Sequence, residues 1–184
     1  MFIQTEPTPN PETLKFLPGR EIAPDEPREF ATAEEAEGSR LAKELFAVEG
    51  VARVFAGIDF VSVTKAEGVE WAHIRPQVLG AITDVLDSGE PLFGGDDAGP
   101  GHAKSDHPIV KEIVEILDTR VRPTVAQDGG DITFHSYDEE SGRVFLHMRG
   151  ACAGCPSSTM TLKMGIENLL RHYVPEVTGV EAMT

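Results

Sequence analysis

One stretch divides this chain before any element is assigned. Ser88-Gly89-Glu90-Pro91-Leu92-Phe93-Gly94-Gly95-Asp96-Asp97-Ala98-Gly99-Pro100-Gly101-His102 is dense in Gly, Pro and Asp and has no apolar periodicity. That composition makes a flexible linker rather than a packed element. A chain of 184 residues suits one large or two small domains. The break selects two, residues 1–88 and 106–184, joined by 89–105. Leu92 and Phe93 are the apolar exceptions within it and are candidates for docking on a domain surface.

The pattern on each side predicts α+β. In the first half, Phe2–Glu6 and Thr13–Leu17 read as strands, separated by Pro7-Thr8-Pro9-Asn10-Pro11, where three prolines forbid helix. Residues 20–37, rich in Glu and Pro, read as loop. Ser39 is placed to cap a helix running to about Val48, with Leu41, Leu45, Phe46 and Val48 apolar. Val51–Ala56 and Phe60–Thr64 read as a hairpin, and Trp71 to about Leu86 as a helix with Pro76 in its first turns. The sheet is expected to be mostly antiparallel. In the second half, a helix runs from Pro108 to about Arg120, and Asp128-Gly129-Gly130-Asp131 is a turn. Ile132–Tyr137 and Arg143–Met148 pair as a hairpin, a helix follows Pro156, and Glu176–Glu181 is a last strand. The order is α-β-β-α-β. The fold class is therefore α+β, two small α/β-layered domains on a Gly/Pro/Asp-rich linker.

Charge narrows the partners. Lys and Arg number 16 against 31 Asp and Glu, a net charge of −15. Residues 1–100 hold 8 basic and 19 acidic residues, so most of the acidity lies in the first half. Such a surface repels phosphate backbones and argues against nucleic acid as a partner. No uncharged apolar run approaches membrane-spanning length. Met1-Phe2-Ile3-Gln4-Thr5-Glu6 shows no basic region leading into an apolar core, so a secretory signal is not expected and the cytoplasm is the default compartment. A processed mitochondrial matrix protein is compatible with the same start. In either place thiols stay reduced.

The chain has two cysteines, Cys152 and Cys155, in Gly150-Ala151-Cys152-Ala153-Gly154-Cys155-Pro156-Ser157-Ser158. Two thiolates are half of a four-sulfur site. With no second pair, an all-thiolate site needs a second copy of the chain. Pro156 suits the first position of a helix, so Cys155 lies beside a helix N-terminus, where free N–H groups favour a thiolate. Gly150 and Gly154 allow tight bends, and Ser157, Ser158 and Thr159 offer donors to sulfur. Four readings fit the spacing: an iron–sulfur cluster bridged between subunits, a zinc site, a dithiol–disulfide redox centre, or a surface turn with incidental thiols. The pair follows a hairpin late in the chain, with Gly between the cysteines and Pro after them, which counts against a thioredoxin-like redox motif.

A longer constellation separates these readings. His107-Pro108, Ile113-Val114-Glu115, Arg122-Pro123, Asp128-Gly129-Gly130-Asp131 and the cysteine segment occur in one order. Together they resemble the C-terminal domain of NifU-type (Nfu) iron–sulfur scaffold proteins, over about residues 107–182. Thr5-Glu6-Pro7-Thr8-Pro9-Asn10-Pro11 and Leu14-Lys15-Phe16-Leu17-Pro18-Gly19 resemble the N-terminal domain that accompanies it. The resemblance implies a [4Fe–4S] cluster, with [2Fe–2S] the smaller form four thiolates also suit, held in a homodimer through Cys152 and Cys155 of each copy. It further implies upstream cluster-assembly machinery, delivery to apo-proteins, and a carrier rather than an enzyme. The Cys-rich front domains of nitrogen-fixation NifU are absent from the sequence. A dithiol oxidoreductase and a zinc-stabilised interaction module are the rival functions.

Other residues read more plainly. His73, His102, His107, His135, His147 and His172 show no metal-ligand spacing and read as solvated or core-edge groups. Asp128–Asp131 lacks the further acidic positions of a calcium loop and reads as a turn supporting the cysteine loop. No phosphate-binding Gly loop is present. Met160 and Met164 read as packing, with a contact between copies beside the cysteines as the alternative.

Overall fold

The computed structural model describes residues 2–94, 101–154 and 156–183, and at 156–158 the backbone alone. The chain divides into two units, Met1–Gly99 and Pro100–Thr184.

In the first unit, β1 (Gln4–Pro7), β2 (Thr13–Leu17), β3 (Arg28–Phe30), β4 (Val51–Ala56) and β5 (Val61–Lys65) form one antiparallel sheet in the order β1-β2-β5-β4-β3. The proline-rich segment makes its turn with side chains. Thr8 Oγ1 donates to the carbonyls of Asn10 and Thr13 (2.8 and 2.9 Å), and Asn10 Oδ1 accepts from the Glu12 N–H (3.0 Å). Helices α1 (Arg40–Phe46) and α2 (Trp71–Asp87) bury Leu41, Leu45, Ile74, Val78 and Ile82 with Phe16, Val54, Val61 and Val63 in one core. Ser39 caps α1 as expected, accepting from the Ala42 N–H at 3.1 Å.

One expectation changes. The stretch read as loop over 20–37 contains β3 and a 3-10 turn, Glu35–Gly38. Three residues are too few to show a period, yet β3 pairs with β4 and sinks Phe30 into the core. Pro76 is the sixth residue of α2, within its first two turns as expected. It leaves the Ala72 carbonyl without its helical donor, a loss outweighed by the buried face of Ile74, Val78, Ile82, Val85 and Leu86.

Leu92 and Phe93, placed by composition in the linker, pack against this core. Phe93 stacks on Phe30 (ring centroids 6.4 Å apart) and lies under the Arg28 guanidinium (4.5 Å). Ser39 Oγ donates to the Leu92 carbonyl at 3.2 Å, so the same hydroxyl caps the helix and holds the segment.

The second unit has a three-stranded sheet, β6 (Gly130–Asp138), β7 (Arg143–Gly150) and β8 (Gly179–Met183), in that order. β6 and β7 are the expected hairpin. β8 runs parallel to β7, with α5 (Pro156–Tyr173) as the crossover between them. The last strand starts later than Glu176, because Pro175-Glu176 forms a turn held by the Val177 N–H on the Val174 carbonyl (3.0 Å).

The helix expected to stop near Arg120 continues. α3 (Pro108–Ile116) passes through a π-helical turn, Leu117–Val121, into α4 (Arg122–Gln127). Pro123 explains the turn: its ring has no N–H and clashes with the carbonyl four residues back. The wider turn, in which Arg122 N–H donates to the Leu117 carbonyl, accommodates it without breaking the helix. Val110, Ile113, Leu117, Val121, Val125, Ile166 and Leu170 cover the Ile132, Phe134, Val144, Leu146, Met148 and Val180 face of the sheet.

Candidate functional site

The cysteine loop joins the end of β7 to the start of α5, and its path is fixed from below. Gly150 turns the chain out of the strand at φ 61° and Gly154 turns it again at φ 80°, angles that a side-chain-bearing residue adopts at a cost. Ala151 N–H donates to the Gly129 carbonyl (3.1 Å) and Cys152 N–H to the Arg149 carbonyl (3.3 Å). The Cys152 carbonyl accepts from Thr159 Oγ1 (3.1 Å), tying the loop to the first turn of α5.

Cys152 is in no disulfide and is buried, 6% exposed. Its Sγ sits where a side chain on Gly130 would be: a Cβ built there falls 2.3 Å from Sγ, 3.0 Å from the Arg149 carbonyl oxygen and 3.0 Å from the Cys152 nitrogen. The Gly129-Gly130 turn thus supports the cysteine loop, with one carbonyl and with a missing side chain. Cys155 lies outside the described residues, so its distance to Cys152 is not part of the geometry.

Beneath the loop is an ion network that composition does not reveal. Asp131 and Arg149 are cross-strand partners on β6 and β7, and both are buried, with side chains 6% and 4% exposed. Arg149 Nη2 donates to Asp131 Oδ2 at 2.6 Å. Arg122, from α4, adds a two-pronged contact to the same carboxylate, Nε to Oδ1 at 2.8 Å and Nη2 to Oδ2 at 3.2 Å. Arg122 Nη1 also reaches Asp118 Oδ1 at 3.0 Å. Burial opposes the charge on Arg122, but hydrogen bonds and attraction from Asp131 and then Asp118 prevail and raise its basicity. Burial likewise pushes the Asp118 carboxyl up, and hydrogen bonds from His102 and Arg122 with their charges outweigh it, leaving Asp118 below its ordinary range. Both carboxylate oxygens of Asp131 are engaged by guanidinium groups, so the Asp128–Asp131 turn presents no free acid pair to a cation.

The histidines are partly redistributed relative to expectation. His102, placed by composition in the linker, belongs to the second unit: its Nδ1 accepts from the Phe134 N–H (2.9 Å) and its Nε2 lies 2.7 Å from Asp118 Oδ1. With Nδ1 accepting a fixed backbone donor, the ring proton sits on Nε2 and is given to Asp118. The neighbouring Ala103 N–H donates to the Phe134 carbonyl (2.9 Å), so residues 102–103 cover the edge of β6. His135 and His147 meet across β6 and β7 with ring centroids 4.8 Å apart, although twelve positions separate them in sequence. Burial, then His135 and Arg149, depress the basicity of His147. His107 reaches Glu139 (3.3 Å), and His172 stands edge-on to Tyr173. No group of three or more metal-ligating His, Cys, Asp or Glu occurs among the described residues.

Met160 and Met164 do not pack into the fold. They are 66% and 60% exposed on the outer side of α5. No helix among the described residues is long and apolar enough to cross a membrane.

A two-domain α+β protein with a glycine-bent cysteine loop at the head of a long helix is the class this geometry defines. The family description "Scaffold protein Nfu/NifU N terminal" matches residues 3–89, and "NifU-like domain" matches residues 113–181. The chain belongs to the Nfu/NifU-like family. It is 48% identical over 185 residues to NifU-like protein 4, mitochondrial, of Arabidopsis thaliana, covering 98% of this chain and 65% of that protein. NifU-like protein 5, mitochondrial, of the same plant is also 48% identical, with 98% and 67% covered. The NFU1 iron-sulfur cluster scaffold homolog, mitochondrial, of Drosophila ananassae is 50% identical over 184 residues, with 98% and 64% covered. The chain spans about two thirds of the length of these relatives.

Proposed function

We propose that this protein is an iron–sulfur cluster scaffold and carrier. Two copies hold one [4Fe–4S] cluster through Cys152 and Cys155 of each, receive it from upstream assembly machinery and pass it to apo-proteins. The observation that carries the reading is the seat of Cys152, a buried thiol outside any disulfide, in a recess kept open by the absence of a side chain on Gly130, in a chain with one cysteine pair. The donors fit the cargo: thiolates suit iron–sulfur clusters, and one pair per copy makes four in a dimer. Loading turns the Cys152 Sγ out of the recess, since the residue is only 6% exposed where it stands. The names of the relatives, which include a cluster scaffold, agree with this reading.

The division of labour follows the units. Residues 106–184 hold the cluster, residues 1–88 recognise clients, and 89–105 connect them. The protein acts by transfer and has no turnover chemistry of its own. It works in a reducing compartment, the cytoplasm or the mitochondrial matrix; the relatives' names place those proteins in mitochondria.

Anaerobic iron, sulfide and zinc analysis with an absorption spectrum tests the proposal. The expected result is about four irons per dimer with charge-transfer absorption, and Cys152→Ala or Cys155→Ala removes both. Colourless zinc-loaded protein, metal-free protein that reduces disulfides, or a Cys152→Ala variant with full iron content would each overturn it.

A further inference from the structure

The second copy needs a surface to approach, and this chain offers one. Four features meet on α5. Met160 and Met164 are the two most exposed large apolar side chains of the second unit, one turn apart on the same side of the helix. The other exposed residues of α5 from Thr159 to Asn168 are Thr161, Gly165 and Asn168, all uncharged. The two charged residues of that stretch turn away: Lys163 Nζ holds Glu181 (2.9 Å), and Glu167 accepts from the Val180 N–H (3.1 Å). Finally, α5 starts directly after the cysteine pair, so Met160 and Met164 lie about 6 and 12 Å along the helix from Pro156.

Residues 101–184 hold 8 basic and 12 acidic residues, so two copies of this unit carry like net charge and repel where charged surfaces are apposed. An uncharged apolar strip is where they can meet without that penalty. We infer that the Met160/Met164 face of α5 is the contact between copies that completes the shared cysteine site. The inference rests on the proposed bridged cluster and adds the surface that accompanies it. A symmetric pair sets this strip against its own counterpart. Unbranched methionines adapt to such a contact without a preformed mould. The strip is small beside the roughly 1,200 Å² that a stable interface buries. Methionine contact alone therefore leaves the metal-free chain monomeric, and cluster and strip hold the dimer together.

The test uses the full chain with Met160→Glu/Met164→Glu and, separately, Met160→Lys/Met164→Lys, exposed changes on a helix that both residues favour. Each protein is loaded anaerobically with iron and sulfide and followed by sedimentation over a dilution series. Wild type is expected to dimerise with its cluster. Each double variant is expected to dimerise at least tenfold more weakly and to lose its cluster on dilution. An equimolar mixture of the two is expected to recover a cluster-bearing heterodimer. Variants that dimerise as tightly as wild type overturn the inference, assign the strip to another occupant such as a client, and leave the bridged cluster standing. Wild type that stays a colourless monomer overturns both.

Discussion

The two units bury polar groups in different ways. In the first, the buried polar residues are Asn10, Thr13, Lys15, Ser39 and Ser62. Thr13 shares a hydrogen bond with Thr64 across the sheet (2.8 Å), Asn10 closes a turn and Ser39 caps a helix. Each serves its own neighbourhood. In the second unit Asp131 and Arg149 are buried as a charged pair and joined to Arg122, Asp118 and His102. That network links the edge segment before α3, the π-helical turn, α4 and both strands of the hairpin below the cysteine loop. A buried charge is costly to desolvate and costlier to leave unpaired. The first unit's buried Lys15 lies over the Phe60 ring (4.7 Å), whereas the second unit sets a buried acid against a buried base directly under the loop.

The largest effect is therefore expected from Asp131→Asn. The change keeps the shape and removes the charge that balances Arg149, which is 3% exposed and has no route to solvent. Breaking a buried pair this way costs about 3–5 kcal/mol. Urea unfolding should show the second unit melting early while the first keeps its midpoint. A shift shared equally by both units would erase the contrast between them.

Much of this plan was legible beforehand, and the misses have physical causes. Ser39 as a cap, both hairpins and α5 follow from side-chain type and period. β3 escaped because three residues carry no period, and because its stability comes from Phe30 meeting Phe93, sixty-three positions later. The Arg122–Asp131–Arg149 cluster escaped because no local rule pairs an arginine on a helix with an acid in a strand. The alternation of Asp131 against Ile132, and Arg149 against Met148, marks only that both point away from the apolar face. His102 was hidden by its Gly-rich neighbours, although its ring is an anchor. The cysteine pair was legible in the sequence alone. The Gly130 recess behind it was not, because the absence of a side chain signals nothing until something fills the space.

That recess gives the next test. Gly130→Ala puts a methyl group 2.3 Å from the Cys152 Sγ and 3.0 Å from two backbone atoms. Overpacking of this kind costs about 1–3 kcal/mol. The loss should be measured by thermal unfolding of the metal-free protein and should shrink in the loaded protein, whose Sγ has left the recess. An equal loss in both states would mean that Cys152 does not move on loading. Below it in size comes Ser39→Ala in the first unit. Removing the hydroxyl leaves the Ala42 N–H uncapped and releases the Leu92 carbonyl, a loss of about 1 kcal/mol. It should also raise amide exchange locally, at α1 and residues 92–94, and leave the second unit's protection unchanged. Exchange rising in the second unit would contradict the local character assigned to the first unit's polar groups.

The smallest effect concerns acid. Asp118 sits below its ordinary value of 3.8 in the folded chain, where its burial is outweighed by His102 and Arg122. A group whose folded pKa is depressed stabilises the fold above its unfolded pKa, and that contribution drains away as pH falls through the lower folded value. The difference in urea midpoint between wild type and Asp118→Asn should therefore be constant at neutral pH and decline below about pH 4. Its size is modest, because the Asp118 side chain is 45% exposed and solvent screens the pair. The decline should appear in the unfolding of the second unit alone. A difference that persists unchanged to pH 2.5 would show that Asp118 acts through hydrogen bonds an asparagine still makes, and would reduce the outer part of the network to a neutral clasp on a charged centre.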